Sequence, residues 1–516
     1  MFKIDNNLFD SDWLIASQHL FHGVEKENVR VDKTGHIART PHPKAFGPAL
    51  TNPWITLDFA ETLIEFVTPP CSDFDLSFDQ LRQVNQYVSQ KIGREMLWPN
   101  SMPCAIKDPN HIDLANFGRS NKAWMKHIYR RGLCYRYGRI MQMIAGIHYN
   151  MSFPHSFWES WQAKRADKQP LPQFIDQQYF KIIRNFFRYS WVLPYLFGAS
   201  PVCANSSVIQ AVDYIKPFDN ASMVGPYATC LRLSDLGYQN KGQDLLNINY
   251  DNIERYAHSI RSATERTYPE FEAIGIKDEQ GLYKQLNVAL LQIENEYYIP
   301  IRPKQPIQSG ERPTRALLNR GVDYLEIRLL DLDPFQPYGM HPTTGRFMDL
   351  FLMYCLLRPD AALKRDEFKR QRQNLKRVAT HGRDPYLKIN SDSGQRYFKD
   401  MAEAMLVAMQ PLAVALDRYQ QDNVYQNAWQ HQYQKLHNPE LIPSQQIVDQ
   451  MEFKRQGFTE FNLNLAQQHK KFLNQTTPNL TPFFNNIKQN AWRQFQRIES
   501  QPQQSFEECL RQYFSQ

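Results

Sequence analysis

Three segments of this 516-residue chain alternate with the period of a β-strand and carry glutamates on faces that are otherwise largely apolar. In 24–31 (VEKENVRV), Glu25, Glu27, Val29 and Val31 share one face, and Val24, Lys26, Asn28 and Arg30 the other. In 59–67 (FAETLIEFV), Glu61, Leu63, Glu65 and Val67 align. In 324–330 (YLEIRLL), Tyr324, Glu326, Arg328 and Leu330 lie opposite Leu325, Ile327 and Leu329. Acids are depleted in strands and seldom buried unless paired, so a fold built on these strands must supply Glu25, Glu27, Glu65 and Glu326 with positive partners.

Further strands are expected at 141–153 (MQMIAGIHYNMSF), where His148, Asn150 and Ser152 align, and at 289–301 (ALLQIENEYYIPI). A helix is expected over 11–22, with Ser11 as N-cap and Gly23 as its stop, and a turn at 32–35. Helical stretches are read at 179–196 and 269–288, a basic helix at 358–381, and a largely helical region beyond about 350. The 21 glutamines of 420–516 are interleaved with Phe, Tyr, Trp and Leu, which favours packed helices over disorder. No regular βαβ alternation appears, so the expected class is α+β, a mixed sheet with helices around it.

Hard cations are one answer to the acids. Carboxylate oxygens suit ions such as Mg²⁺, a histidine completes the set, and acids converging from separate strands would hold more than one ion. His148 is the natural fifth member. Each residue alone also fits a structural role, an exposed Glu opposite a Lys or a satisfied core His. Arg130, Arg136, Arg232, Arg302 and Arg328 form a second set, read either as clamps for phosphate or carboxylate oxygens or as internal ion pairs.

Several classes are excluded. Only 21 glycines occur, about 4% against an average near 7%, with no GxxxxGK[ST] and no GxGxxG. HExxH, serine-hydrolase and EF-hand signatures are also absent. The formal charge of +7 is spread along the chain, and the cations crowded at 364–383 are interrupted by Asp366 and Glu367, so a solvated helix is expected and no nucleic-acid partner. Seven cysteines without CxxC or regular spacing fit reduced thiols. The N-terminus shows no signal peptide, and the most apolar stretch, 191–204, is interrupted by Pro194 and Pro201. A soluble, cytoplasmic protein with no membrane partner is expected.

Taken together, HGVEKENVRV at 22–31, WITLDFAETLIEFVTP at 54–69, SMPC at 101–104, AGIHYNMS at 145–152, PYLFGASP at 194–201, LRLSDLGY at 231–238, QIENEYYIPIRPK at 292–304 and YLEIRLLDLDPF at 324–335 resemble glutamate–cysteine ligase (γ-glutamylcysteine synthetase) of the proteobacterial type. The resemblance is dense over 21–335 and loose after about 385. It implies a curved, mostly antiparallel, glutamine synthetase-like sheet surrounded by helices. It also implies ATP-dependent ligation of L-glutamate to L-cysteine through γ-glutamyl phosphate, the first step of glutathione biosynthesis. By resemblance, Glu25, Glu27, Glu65, His148 and Glu326 hold Mg²⁺, with Mn²⁺ as a substitute, and Arg328 and Arg130 stabilise the transferring phosphoryl group. Tyr129, Arg232, Tyr238 and Tyr298 form the cysteine pocket, and Arg302 and Lys304 reach carboxylates or phosphates.

Because the motif blocks must converge, one catalytic unit over 1–516 is expected, with a core at about 10–385, a helical region at 386–516 and a monomeric state. The alternatives are a ligase for another amine, a carboxylate-pair glycoside hydrolase and a non-catalytic nucleotide- or nucleic-acid-binding protein.

Overall fold

The computed structural model describes residues 12–237, 242, 245–420, 422–475 and 479–516. Its strands are β1 (Phe21–Val31), β2 (Ile55–Leu57), β3 (Leu63–Val67), β4 (Met96–Leu97), β5 (Ile147–Ser152), β6 (Val202–Ala204), β7 (Lys216–Pro217), β8 (Ser222–Val224), β9 (Ile301–Lys304), β10 (Tyr324–Leu330), β11 (Lys388–Ser391) and β12 (Gly394–Tyr397). The main sheet runs β2-β3-β1-β5-β10-β9, with β4 added to β1. Every pairing in it is antiparallel. The expected α+β architecture of antiparallel sheet and helices is what forms.

Register sets the site. Glu27 lies opposite Glu65, Glu25 opposite His148, Asn150 opposite Glu326, and Glu326 opposite Arg302, so one face of five adjacent strands gathers them all. Between Ile327 and Leu330, β10 bulges against β5. The extra residue there accompanies Arg328, whose amide goes to the Pro300 carbonyl on the far side. A bulge of this kind re-aims a side chain beside a functional cleft.

The reverse face packs on helices. Helix Pro342–Leu357 is buried over nearly all its length and meets the sheet through Asp349, which accepts from the Tyr149 hydroxyl at 2.8 Å and lies 3.1 Å from His22 Nε2. The main core extends from Trp13 to Ala466, so the later helices pack into the same apolar interior as the sheet. In a second cluster Phe484 stacks on Tyr87 at 4.2 Å. No described helix is long and apolar enough to cross a membrane.

Several local expectations are corrected. Among the described residues the first helix covers Asp12–Ala16 with a 3₁₀ turn to His19, the expected cap Ser11 lying outside them; it stops short of His22 because Phe21, His22 and Gly23 pair with Ser152, Met151 and Asn150 and extend β1. Residues 59–62 form a turn before β3, so Glu61 leaves the ladder and instead accepts the His42 and Asn116 amides. Segment 141–153 is strand only over Ile147–Ser152. Segment 289–301 is loop and 3₁₀ turn, since buried Glu294 and Glu296 are tied to Arg312 and Arg136. The helix at 269–288 ends at Ile274, where Gly275 takes φ +75°. The basic helix begins at Arg365.

Candidate active site

The gathered face floors a cleft of about 1020 Å³. Helix Asn121–Tyr137 supplies one wall, with Lys122, Lys126, Tyr129 and Arg130; the segments on either side of β9 supply another. Glu25, Glu27, Glu65, His148, Glu326, Arg130, Arg232, Arg302, Lys304, Arg328, Tyr129 and Tyr298 all line it. Tyr238 lies outside the described residues.

His148 is the hub of the acids. Its Nδ1 is 2.9 Å from Glu25 Oε2 and 3.6 Å from Glu326 Oε1, and its Nε2 is 3.8 Å from Glu27 Oε1. Glu25, Glu65 and His148 each present a ligand atom within 4.8 Å of one another. The acids divide electrostatically. Despite burial, Glu326 is held well below the usual carboxylate range by Lys304, 3.2 Å away, and Arg328, 2.7 Å away. Glu25 is also lowered against its burial, by the His148 hydrogen bond.

Glu27 and Glu65 go the other way. Burial and the neighbouring Asp58 push Glu27 up to about 8, and burial with Glu25, Asp58 and Glu27 raises Glu65 well above its ordinary value. Burial, then Arg328, lowers His148 toward the neutral imidazole that can act as a ligand. Asn150 donates to Glu25 at 3.0 Å, while its buried Oδ1 has no hydrogen-bond partner among the described residues. An excess of oxygen donors, two of them raised by burial and neighbouring acids, one histidine and an unused amide oxygen fit a hard divalent cation.

Arg232 is 1% exposed. Its Nη2 donates to the Arg328 carbonyl at 2.7 Å, its Nη1 is 3.8 Å from Asp331, and its Nε has no hydrogen-bond partner among the described residues. The guanidinium lies against Gly146, where any Cβ would clash with Nη2. Arg302 turns its Nη2 to the Asn295 and Tyr297 carbonyls. Arg136 takes the internal ion-pair alternative, 3.1 Å from Glu296 with its guanidinium on Phe271. Within the basic helix, Lys376 pairs with Asp235 and Arg370 with Asp392.

A family model described as glutamate-cysteine ligase matches residues 7–378. The chain belongs to the glutamate–cysteine ligase family. The glutamate–cysteine ligase of Alcanivorax borkumensis is 43% identical over 98% of this chain and 98% of its own length. That of Saccharophagus degradans is 39% identical over 99% and 97%. The solved glutamate–cysteine ligase of Francisella tularensis, a complex with AMP, matches with TM-score 0.91 and 35% identity over 96% of this chain and 98% of that one. The protein is an enzyme of this type.

Sequence reasoning missed two parts of this ligase-family cleft. Lys126 belongs to the wall helix, and its signal was the four-residue spacing of Lys122, Lys126 and Arg130. The other is the segment around 499–516, which lies beyond the family-model match. There Glu499 accepts the Arg119 and Ser120 amides at 2.9 and 2.8 Å, and Gln503 accepts that of Asn121 at 3.2 Å, so the chain's last part caps the wall helix. Helix Phe506–Phe514 buries Leu510 against Ile128 and Leu286. Gln516 donates to the Gly310 carbonyl at 2.7 Å and accepts the Arg312 amide at 3.1 Å, and the segment lines the cleft through Gln504, Cys509, Gln512 and Tyr513. Nothing local in a glutamine-rich sequence signals that destination.

Proposed function

We propose that the protein joins the γ-carboxylate of L-glutamate to the amino group of L-cysteine, with ATP as activating co-substrate, in glutathione biosynthesis. A glutamate γ-carboxylate oxygen attacks the γ-phosphorus, the bond to the β-phosphate oxygen breaks, and ADP leaves. The cysteine amine then attacks the acyl carbon of γ-glutamyl phosphate, the carbon–oxygen bond breaks, and phosphate departs as the amine loses a proton. Family membership supports the substrate pair, and the AMP complex of the Francisella tularensis relative supports an adenine nucleotide.

The observation that carries this reading is the crowd of like-charged carboxylates on the cleft floor, flanked by cations. Phosphoryl transfer between two anions is limited by repulsion and positioning. Glu25, Glu27, Glu65, His148 and Glu326 would hold Mg²⁺, or Mn²⁺ in its place. When bound, the ion supplies neutralising charge beside the phosphates. Arg328 from the floor and Arg130 from the wall helix offset charge on the transferring group.

Arg232, with its unfilled donors, receives the cysteine carboxylate, and Tyr129, Tyr298 and Tyr238 shape the cavity around the thiol. Burial raises the Tyr129 and Tyr298 hydroxyls, so they remain protonated donors. Contribution of 499–516 to the cleft supports treating 1–516 as one catalytic unit.

The test is direct. Protein given MgATP, glutamate and cysteine should form γ-glutamylcysteine, ADP and phosphate in equal amounts, with no dipeptide when cysteine is omitted. Absence of a cysteine-dependent product contradicts the reading.

A further inference from the structure

The wall helix Asn121–Tyr137 carries Lys122, Lys126 and Arg130 at four-residue intervals, and all three line the cleft. Eight residues of helix set the outer pair about 12 Å apart along the axis. This arrangement opposes the helix's own electrostatics. Like charges four apart repel, the N-terminal half carries the positive end of the macrodipole, and the first turn contains no acid. Glu499, from the far end of the chain, is bonded to the Arg119 and Ser120 amides.

Lys126 and Arg130 both rest on one aromatic ring. Lys126 Nζ stands 4.9 Å and the Arg130 guanidinium 4.6 Å from the centre of the Phe117 ring. Arg130 is 7% exposed and gives its Nε to the Asp58 carbonyl and Nη1 to the Lys126 carbonyl. No hydrogen bond or close ion pair holds the Lys126 amine among the described residues, and Glu65 and Asp58 act on it only through space. Burial first, then Arg130, pushes it down to about 8 against the pull of Glu65.

A stripe of cations that lines a cleft and makes no close ion pair among the described residues is a receptor for an anion. Its length favours an extended polyanion over a single carboxylate. We infer that Lys122 and Lys126, continued by Arg130, form the track that binds the polyphosphate of the nucleotide, running toward the acids of the sheet. The inference rests on the ATP-dependent reading above and adds to it two binding residues and the wall along which the phosphates lie.

Lys126→Met and the Lys122→Met/Lys126→Met double variant test it, with Lys126→Arg as the rescue. Each is checked for native circular dichroism and thermal midpoint. Calorimetry then measures tripolyphosphate and ADP binding, and steady-state rates give KM for ATP, glutamate and cysteine. Loss of these charges should weaken tripolyphosphate binding and raise the ATP KM by about tenfold or more. The cysteine KM should stay within about twofold, and Lys126→Arg should restore most of the affinity. Unchanged ATP and tripolyphosphate affinities overturn the inference. So does a rise confined to the glutamate KM, which would assign the stripe to a carboxylate. Wild-type protein that binds tripolyphosphate in a Lys126-dependent way yet forms no dipeptide contradicts the ligase reading and leaves the track standing.

Discussion

The two faces of β1 handle buried polar groups in opposite ways. On the reverse face, Lys26 donates to Asn85 at 2.6 Å and Asn28 to the Trp98 carbonyl at 2.8 Å, each with a neutral partner of its own. On the cleft face, Glu25 and Glu27 crowd against Glu65 and Glu326 around one histidine, with more acceptors than the chain's donors can serve. Burying a charge costs several kcal/mol unless it is matched. On the reverse face a single cation, Lys26, is met by a neutral amide of the chain and by no crowd of like charges. The cleft face is built to be matched by something that binds.

The comparison breaks most visibly through turnover. Glu27→Gln or Glu326→Gln should lower kcat by about a hundredfold or more with the fold intact, whereas Lys26→Met should leave it within about threefold. Near-normal kcat in either glutamine variant removes that residue from the site, and a Lys26→Met collapse would erase the distinction between the faces. Next in size, Arg232→Ala should raise the cysteine KM by about tenfold, the worth of a charge-assisted hydrogen bond, with a smaller change for ATP. Equal effects would contradict the pocket assignment.

Stability against pH sharpens it further. Glu27 has its folded pKa raised from 4.5 to about 8, so its contribution is full below about 4.5 and is lost as pH rises through about 8. A divalent cation replaces that proton, so Mg²⁺ should raise the Tm clearly at pH about 8 and little at pH about 5. An equal rise at both breaks the account. Lys26 supplies the smallest effect and the opposite sign. Burial lowers it from 10.5 to about 7, so its contribution is present above about 10.5 and lost as pH falls through about 7. Lys26→Met should flatten the Tm profile between those values, and an unaltered profile contradicts the assignment.

Legibility in the sequence followed the same division. β10 occupies the 324–330 expected from its alternation, and the faces assigned to Glu25, Glu27, Glu65, His148 and Glu326 are the faces that converge. Period-two patterning carries that information locally. It misled at 289–301, where alternating apolar residues belong to a loop fixed by the distant ion pairs of Glu294 and Glu296. At 21–23 the expected helix end and its glycine stop lost to strand pairing with β5. The C-terminal helices were readable from their apolar content, but their arrival at the cleft depends on contacts such as Glu499 with Ser120, 379 residues apart. Lys126 stood in plain view at four residues from Arg130, and only the Phe117 shelf and the cleft give that spacing a meaning.

The central claim is that the crowded face is a divalent-cation site. Titration of wild-type protein, Glu65→Gln and Lys26→Met with Mn²⁺ at near-neutral pH, followed by electron paramagnetic resonance, addresses it without reference to turnover. The account predicts saturable binding to wild-type and Lys26→Met protein, weakened about tenfold or more in Glu65→Gln. No saturable binding by the wild type, or equal affinity in all three, would contradict it.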